Sequence, residues 1–303
     1  MTRSLAALAL LATLLAALFS SEAEKARYAY LLRVRRALAP LHKRLAPPRE
    51  GDWLDRFHEE GQTFEAYVES KPVALTKERA TLYVQPLGPF SSSQHRVVGA
   101  ASEFLGRYFS CPVKILPRIT LDVIPSSARR PGAGGSEQLR TGYILRSILA
   151  PTLPPDAAVM IAFTASDLWP GEGWNYVFGE ATLRDRVAVF SIARFGDPAE
   201  SRGAFRKCLL RACKVSSHEV GHMFSMPHCT FCECNACGSN SLSEMDRRPL
   251  SLCPECLAKL CWATGTEPIQ RYDRLAEFAR AHGLDEEAAF YQASAETLKN
   301  LPP

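Results

Sequence analysis

Residues 218–229 read HEVGHMFSMPHC, and this stretch restricts what the chain can fold into more than any other. His218 and His222 stand four apart on a helical pattern, so both imidazoles leave one face and can reach a common ion. Glu219 follows His218 directly, where a carboxylate can act as a base beside an ion without ligating it. At roughly 100° per residue, a continued helix would carry His228 about 240° round from His222. The chain must therefore leave the helix between 222 and 228 and double back. Pro227 supplies the stop, because it lacks an N–H and drives Met226 to extended geometry. Ser225 holds a position that a sharp reversal usually gives to glycine, and a left-handed serine costs on the order of 1–2 kcal/mol. Metal binding at a protein site is worth several kcal/mol or more, so the turn is strained rather than lost. Three neutral imidazoles with one open position make the site that catalytic zinc uses. Ordinary surface or core histidines would account for His218 and His222 but leave His228 unexplained.

Nine of the ten cysteines lie between Cys208 and Cys261, with only Cys111 apart. A disulfide framework would be spread more widely, and clustered C-x-x-C pairs read first as metal sites. Cys229, Cys234, Cys253 and Cys256 form C-x4-C…C-x2-C, enough for a closed structural zinc site. His228 and Cys229 are neighbours, and in extended backbone their side chains point to opposite faces. One can then serve the catalytic ion and the other the structural ion. Cys232 and Cys237 leave an alternative open: either replaces one of the four ligands, or the two pair as a disulfide in an oxidising compartment. Cys111, Cys208, Cys213 and Cys261 read as buried small hydrophobes.

The net charge of +4 is unevenly distributed. Residues 1–50 carry nine Lys/Arg and three Glu, which leaves 27 basic and 29 acidic side chains for residues 51–303. The larger part has no basic excess, so nothing argues for nucleic acid. Residues 5–19 are apolar except Thr13, and "SEA" follows at 21–23. A run of about 15 residues suits a signal peptide better than a membrane-spanning helix, which needs roughly 20. The positive charges from Lys25 to Arg44 oppose translocation. Export to the periplasm or cell exterior, or an N-terminal membrane anchor, is expected, with a cytoplasmic location as the alternative.

Residues 46–51 read as a linker. Strands are expected at 82–87, 113–121, 159–163 and 187–195. The run at 157–163 is apolar on both faces and therefore central, and Pro117 demotes its strand to an edge or a bulge. Helices are expected at 94–109, 137–150, 201–224, 268–281 and 285–299, with a flexible loop at 129–137.

These residues resemble the archaemetzincins (archaelysins), metzincin-clan zinc metallopeptidases with the long motif H-E-x-x-H-x-x-G-x-x-H-C-x4-C-x-M and a later C-x-x-C. The resemblance covers roughly residues 46–303, including GQTFEAYVE, WNYVFGEATLRDRVAVFSIARF, CKVSSHEVGH and DRRPLSLCPECLAKL. It implies an α/β (α+β) fold: a metzincin-like mixed twisted sheet with an active-site helix, plus a small C-terminal zinc-held helical lobe. Beside the signal peptide or N-terminal anchor read at 1–23 and the basic lead-in at 24–50, it gives a metallopeptidase domain at 51–303, its lobes meeting at 228/229. His218, His222 and His228 would hold a catalytic zinc, and Cys229, Cys234, Cys253 and Cys256 a structural one. Glu219 would be general base to a zinc-bound water attacking a peptide or protein substrate. Tyr176 and the rest of WNYVFGE would form the edge strand that pairs with extended substrate. Two positions depart from the motif, Ser225 for glycine and Ala236 for methionine. Removing that methionine from beneath the site costs about 2–5 kcal/mol if the hole stays open, unless Met223, Met226 or Met245 fills it. The alternative reading is a catalytically impaired binding or scaffold protein of the same fold.

Overall fold

A computed structural model describes residues 21–132 and 136–301. The apolar run at 5–19 lies outside the described residues. The helices are α1 (Glu22–Leu38), α2 (Trp53–Arg56), α3 (Phe64–Glu69), α4 (Ser92–Phe109), α5 (Thr141–Tyr143), α6 (Arg202–Met223), α7 (Leu242–Arg247), α8 (Pro254–Thr264), α9 (Pro268–Ala281) and α10 (Asp285–Lys299). The strands are β1 (Thr81–Leu87), β2 (Val113–Ile115), β3 (Arg129–Pro131), β4 (Glu137–Arg140), β5 (Ala157–Thr164), β6 (Asp167–Trp169), β7 (Gly179–Ala181) and β8 (Val187–Ser191).

The main sheet runs β2-β1-β5-β8-β7. Its first four strands are parallel, and β7 runs antiparallel at the edge beside β8. As its two-faced apolar pattern requires, β5 is internal and buried throughout. Val159, Ile161 and Phe163 face one core, and Met160 and Ala162 face the other. With the long α6 beside this sheet and a cysteine cluster towards the C-terminus, the molecule has the mixed α/β architecture that the sequence implied.

Four expectations need correction. The strand from residue 113 stops at Ile115, and only an isolated bridge pairs Ile119 with Leu87 beyond Pro117, which has no N–H to give a ladder. The strand from residue 187 stops at Ser191, and Phe195 is buried in the turn after it. The helix expected at 137–150 begins only at Thr141. Residues Glu137–Arg140 are extended between β3 and β6, which lets the Gln138 amide donate to Asp167 (2.7 Å) and to the Asn175 carbonyl (2.9 Å). Of the stretch at 129–137, residues 129–131 and 137 are paired strand rather than loop, and residues 133–135 lie outside the described residues.

Within the basic lead-in lies α1. Ser21 caps it by accepting from the Glu24 N–H, and Leu31, Val34 and Leu38 recur at helical spacing and are fully buried. Its cations serve the fold. Arg27 donates to the carbonyls of Cys261 and Thr266, and Arg35 pairs with Glu65 and Glu255. Among the described residues, no helix is long and apolar enough to cross a membrane.

Capped by Ser201, α6 ends at Met223, where the chain reverses. Ser225 takes φ 62°, in the left-handed region. Its hydroxyl compensates for the strain by tying two distant segments together: Oγ donates to the Leu183 carbonyl (3.0 Å) and accepts from the Val73 N–H (3.1 Å). The Tyr67 hydroxyl holds the preceding carbonyl, that of Phe224, at 2.6 Å.

These contacts set the cost of removing them. Leu31→Ala should cost about 2–5 kcal/mol in urea unfolding, whereas Leu41→Ala, at a site 38% exposed, should stay within about 0.5 kcal/mol. Ser225→Ala keeps the strain but leaves the Val73 N–H and Leu183 C=O unpaired, and should cost about 1–3 kcal/mol. Ser225→Gly should recover only about 1 kcal/mol of that loss. A glycine variant clearly more stable than the parent protein would mean that the hydroxyl contributes nothing.

Candidate metal centre and active site

The reversal after α6 brings His228 back to the face that carries His218 and His222. One ring nitrogen from each of the three lies within 4.8 Å of the others. The hydrogen bonds assign the tautomers. His218 Nδ1 bonds the Asn235 carbonyl at 2.8 Å, and His222 Nδ1 bonds the Met226 carbonyl at 2.7 Å. His228 Nδ1 bonds both oxygens of Glu59, at 2.9 and 3.1 Å. Carbonyl and carboxylate oxygens only accept, so each Nδ1 carries a proton, and in the neutral ring Nε2 is left as the lone-pair donor. The Nε2 atoms of His218 and His222 stand 3.0 Å apart. Two lone pairs facing one another repel, and a cation between them removes the conflict. Burial, followed by the nearby His228 imidazole, pulls the His218 pKa down to about 3, so the ring is neutral near pH 7. His222 is pushed well below its ordinary value, first by burial and then by the other two imidazoles.

Glu219 lies against β7. A β-carbon at Gly179 would come 2.5 Å from its Oε1, so only glycine lets the strand pass this close. Burial, followed by the neighbouring Glu180 carboxylate, raises the Glu219 pKa to about 8. The histidines, Glu219 and β7 line one cavity of about 390 Å³, and Trp53 and Trp174 also contribute to its wall. Only Gly179 and Glu180 of the stretch WNYVFGE belong to the edge strand. Tyr176 precedes it, and Arg194 stacks 3.6 Å above its ring.

Cys229, Cys234, Cys253 and Cys256 form a second group, buried, with all sulfurs within 4.8 Å of one another. Cys229 and Cys253 are 3.6 Å apart. Hydrogen bonding with the neighbouring sulfurs pushes Cys229 below its ordinary value, while burial drives Cys234 well above its own. Four sulfurs so close cannot all ionise unless a cation offsets the charge, and four thiolates are a donor set zinc accepts. Cys232 and Cys237 are free thiols outside this group. The donor sets of both clusters fit a zinc ion.

Ala236 opens onto a small cavity beneath His218 and His222 whose walls include Tyr108, Phe109, Met226 and Leu252. Of Met223, Met226 and Met245, Met226 is the one lining it. Met245 lines the main cavity instead.

Several participants escape sequence reasoning. Glu59 precedes His228 by 169 residues, and no local pattern marks it. Asn235 orients His218 through its carbonyl, which any residue type possesses. Gly179 is detectable only as a glycine within an otherwise bulky strand segment.

Comparison with known proteins agrees with this architecture. Residues 158–261 match the model of peptidase family M54. Archaemetzincin-2 of Homo sapiens is 32% identical over 283 residues, covering 83% of this chain and 78% of the relative. Archaemetzincin-1 of Homo sapiens is 31% identical over 267 residues, covering 76% of this chain and 52% of the relative. The crystal structure of archaemetzincin from Methanopyrus kandleri superposes with a TM-score of 0.51 at 25% identity, covering 63% of this chain and 98% of that one. A relative this similar over most of both chains settles the family: the chain belongs to the archaemetzincins, zinc metallopeptidases and hence hydrolases.

Proposed function

We propose that His218, His222 and His228 hold a catalytic zinc through Nε2, that Cys229, Cys234, Cys253 and Cys256 hold a second, structural zinc, and that Glu219 is the general base in peptide-bond hydrolysis. One observation carries the reading: all three Nδ1 protons are committed to oxygen acceptors, so three lone pairs converge beside a buried carboxylate. When bound at the histidines, zinc supplies Lewis acidity, acidifying water and polarising a carbonyl. Glu219 takes the proton of the attacking water and returns it to the leaving amine. A carboxyl group whose pKa burial has raised towards neutrality suits both transfers. On its side facing away from β8, β7 has no strand partner among the described residues and borders the cavity. Its backbone can align an extended peptide across the site. Glu59 fixes the ring orientation and tautomer of His228.

Glu219→Gln should lower kcat by at least a thousandfold and leave two zinc ions per chain by metal analysis. If the wild type binds both ions yet cleaves nothing in a broad peptide library, the scaffold alternative replaces this reading. Glu180 adds a pH effect. Its charge raises the Glu219 pKa, and the deprotonated form is the active base, so kcat/KM rises with pH as Glu219 ionises. Glu180→Gln removes the like charge and should shift this acid limb to lower pH. An unmoved limb, or one shifted upwards, would show that Glu219 is not the titrating base.

A further inference from the structure

Lys214 lies one turn before His218 on the same face of α6, roughly 6 Å along the helix axis, and lines the same cavity. It is only 4% exposed. Its ammonium has two hydrogen bonds, both long: to the Met245 carbonyl at 3.3 Å and to the Asp246 carbonyl at 3.4 Å. These occupy two of its three donors. Among the described residues, no carboxylate oxygen lies within 4.0 Å of Nζ. The Asp246 carboxylate is instead engaged by Arg211, at 2.5 and 2.9 Å. The carbonyls at the end of α7 offset part of the charge but cannot replace a counter-ion. Burial lowers the pKa of this lysine, and the more distant charges of Asp246 and Glu287 offset that only in part.

Arg248, also in the cavity wall, differs. Glu233 and Glu244 pair with it at 3.0 and 3.1 Å. The side chain of Asn240 is already bonded to the Gly51 carbonyl. The cavity therefore has carboxyl groups at its histidine end and, one turn away, a cation without a direct ion-pair partner among the described residues.

Building on the peptidase reading, we infer that the Lys214 end of the cavity is a subsite for a substrate carboxylate, so that the protein selects peptides carrying an anion close to the scissile bond. The carboxylate can come from an Asp or Glu side chain or from the C-terminus of a short peptide. A carboxylate there supplies the direct ion-pair partner that Asp246 and Glu287 do not, within a water-poor cavity where it counts for more than at an open surface. A basic residue would face an ammonium of like charge. Lys214 is in this sense a specificity residue, separate from the groups that move protons.

The test uses the zinc-loaded full chain and peptides identical except for Glu, Gln or Lys beside the scissile bond, each with a free or amidated C-terminus. For the wild type, kcat/KM with the anionic peptide should exceed that with its uncharged counterpart by at least tenfold, and the Lys peptide should be the poorest. In Lys214→Met the ratio of anionic to uncharged peptide should fall towards one, whatever the absolute rates. A purely structural lysine would lower both rates together and leave the ratio intact. Loss of preference on Glu-to-Gln exchange assigns the anion to a side chain, and loss on amidation assigns it to the chain terminus. A wild-type ratio near one overturns the inference, as does a ratio that survives Lys214→Met. Should Lys214→Met fail to fold, the wild-type ratios decide alone. Calorimetric binding of the same peptides to Glu219→Gln separates this subsite from the catalytic reading. Tenfold tighter binding of the anionic peptide supports the subsite even if the wild type cleaves nothing, and equal affinities overturn it even if hydrolysis is rapid.

Discussion

The reversal of the chain between Met223 and His228 is the constraint on which the remainder depends. It returns the third imidazole to the helix that carries the first two, and it delivers the next residue, Cys229, to the sulfur cluster. Adjacent residues in extended backbone project to opposite faces, so these two groups cannot move independently. A bond from the Cys229 N–H to the Ala236 carbonyl at 2.8 Å fastens the junction, and Asn235, next to Ala236, gives its own carbonyl to His218. A few residues of backbone therefore join both clusters. Loosening the sulfur group would disturb the spacing of the imidazoles before it disturbed the sheet.

The two departures from the family motif can be weighed against that junction. A serine at φ 62° should strain the turn, yet its hydroxyl reaches segments that a glycine would leave unattached. Two buried hydrogen bonds are comparable in size to the left-handed penalty, so the exchange is close to balanced. Ala236 is different, because it forfeits volume. The space beside it is about 10 Å³, room for at most one water, with Met226 and Phe109 crowding in from the sides. A hole that has largely closed places the cost near the lower end of the range for truncating a buried methionine.

The legible part of the sequence is the part that local spacing encodes. The i, i+4 histidines, the two-faced apolar strand at 157–164 and the C-x-x-C pair each define a geometry within a few residues. The parts that escape depend on contacts across the chain. Residues 137–140 share the helical apolar pattern of residues 141–150, and pairing with two strands draws them into extended form, a case of tertiary contacts overriding propensity. The cations of residues 24–50 stand out in the sequence only as charges that oppose translocation. Arg27 and Arg35 instead satisfy carbonyls and carboxylates contributed by residues from 65 to 266, which no short window reveals. Glu59 has the same character, and its place beside His228 exists only once the fold has formed.

Burial acts with opposite sign on the two ends of the cavity. It raises the pKa of Glu219 and lowers that of Lys214, so each is pushed towards its neutral form by the same exclusion of water. The first shift has no opposing charge, and the second is relieved only in part, by Asp246 and Glu287. Glu180 reinforces the first, while Asp246, itself paired with Arg211, and Glu287 are too distant to cancel the second. A cation at the imidazoles favours ionised Glu219, and an anion near α7 favours protonated Lys214. The protein thus carries unbalanced charge where ligands of opposite sign can complete it, at the cost of groups that burial alone would not place there.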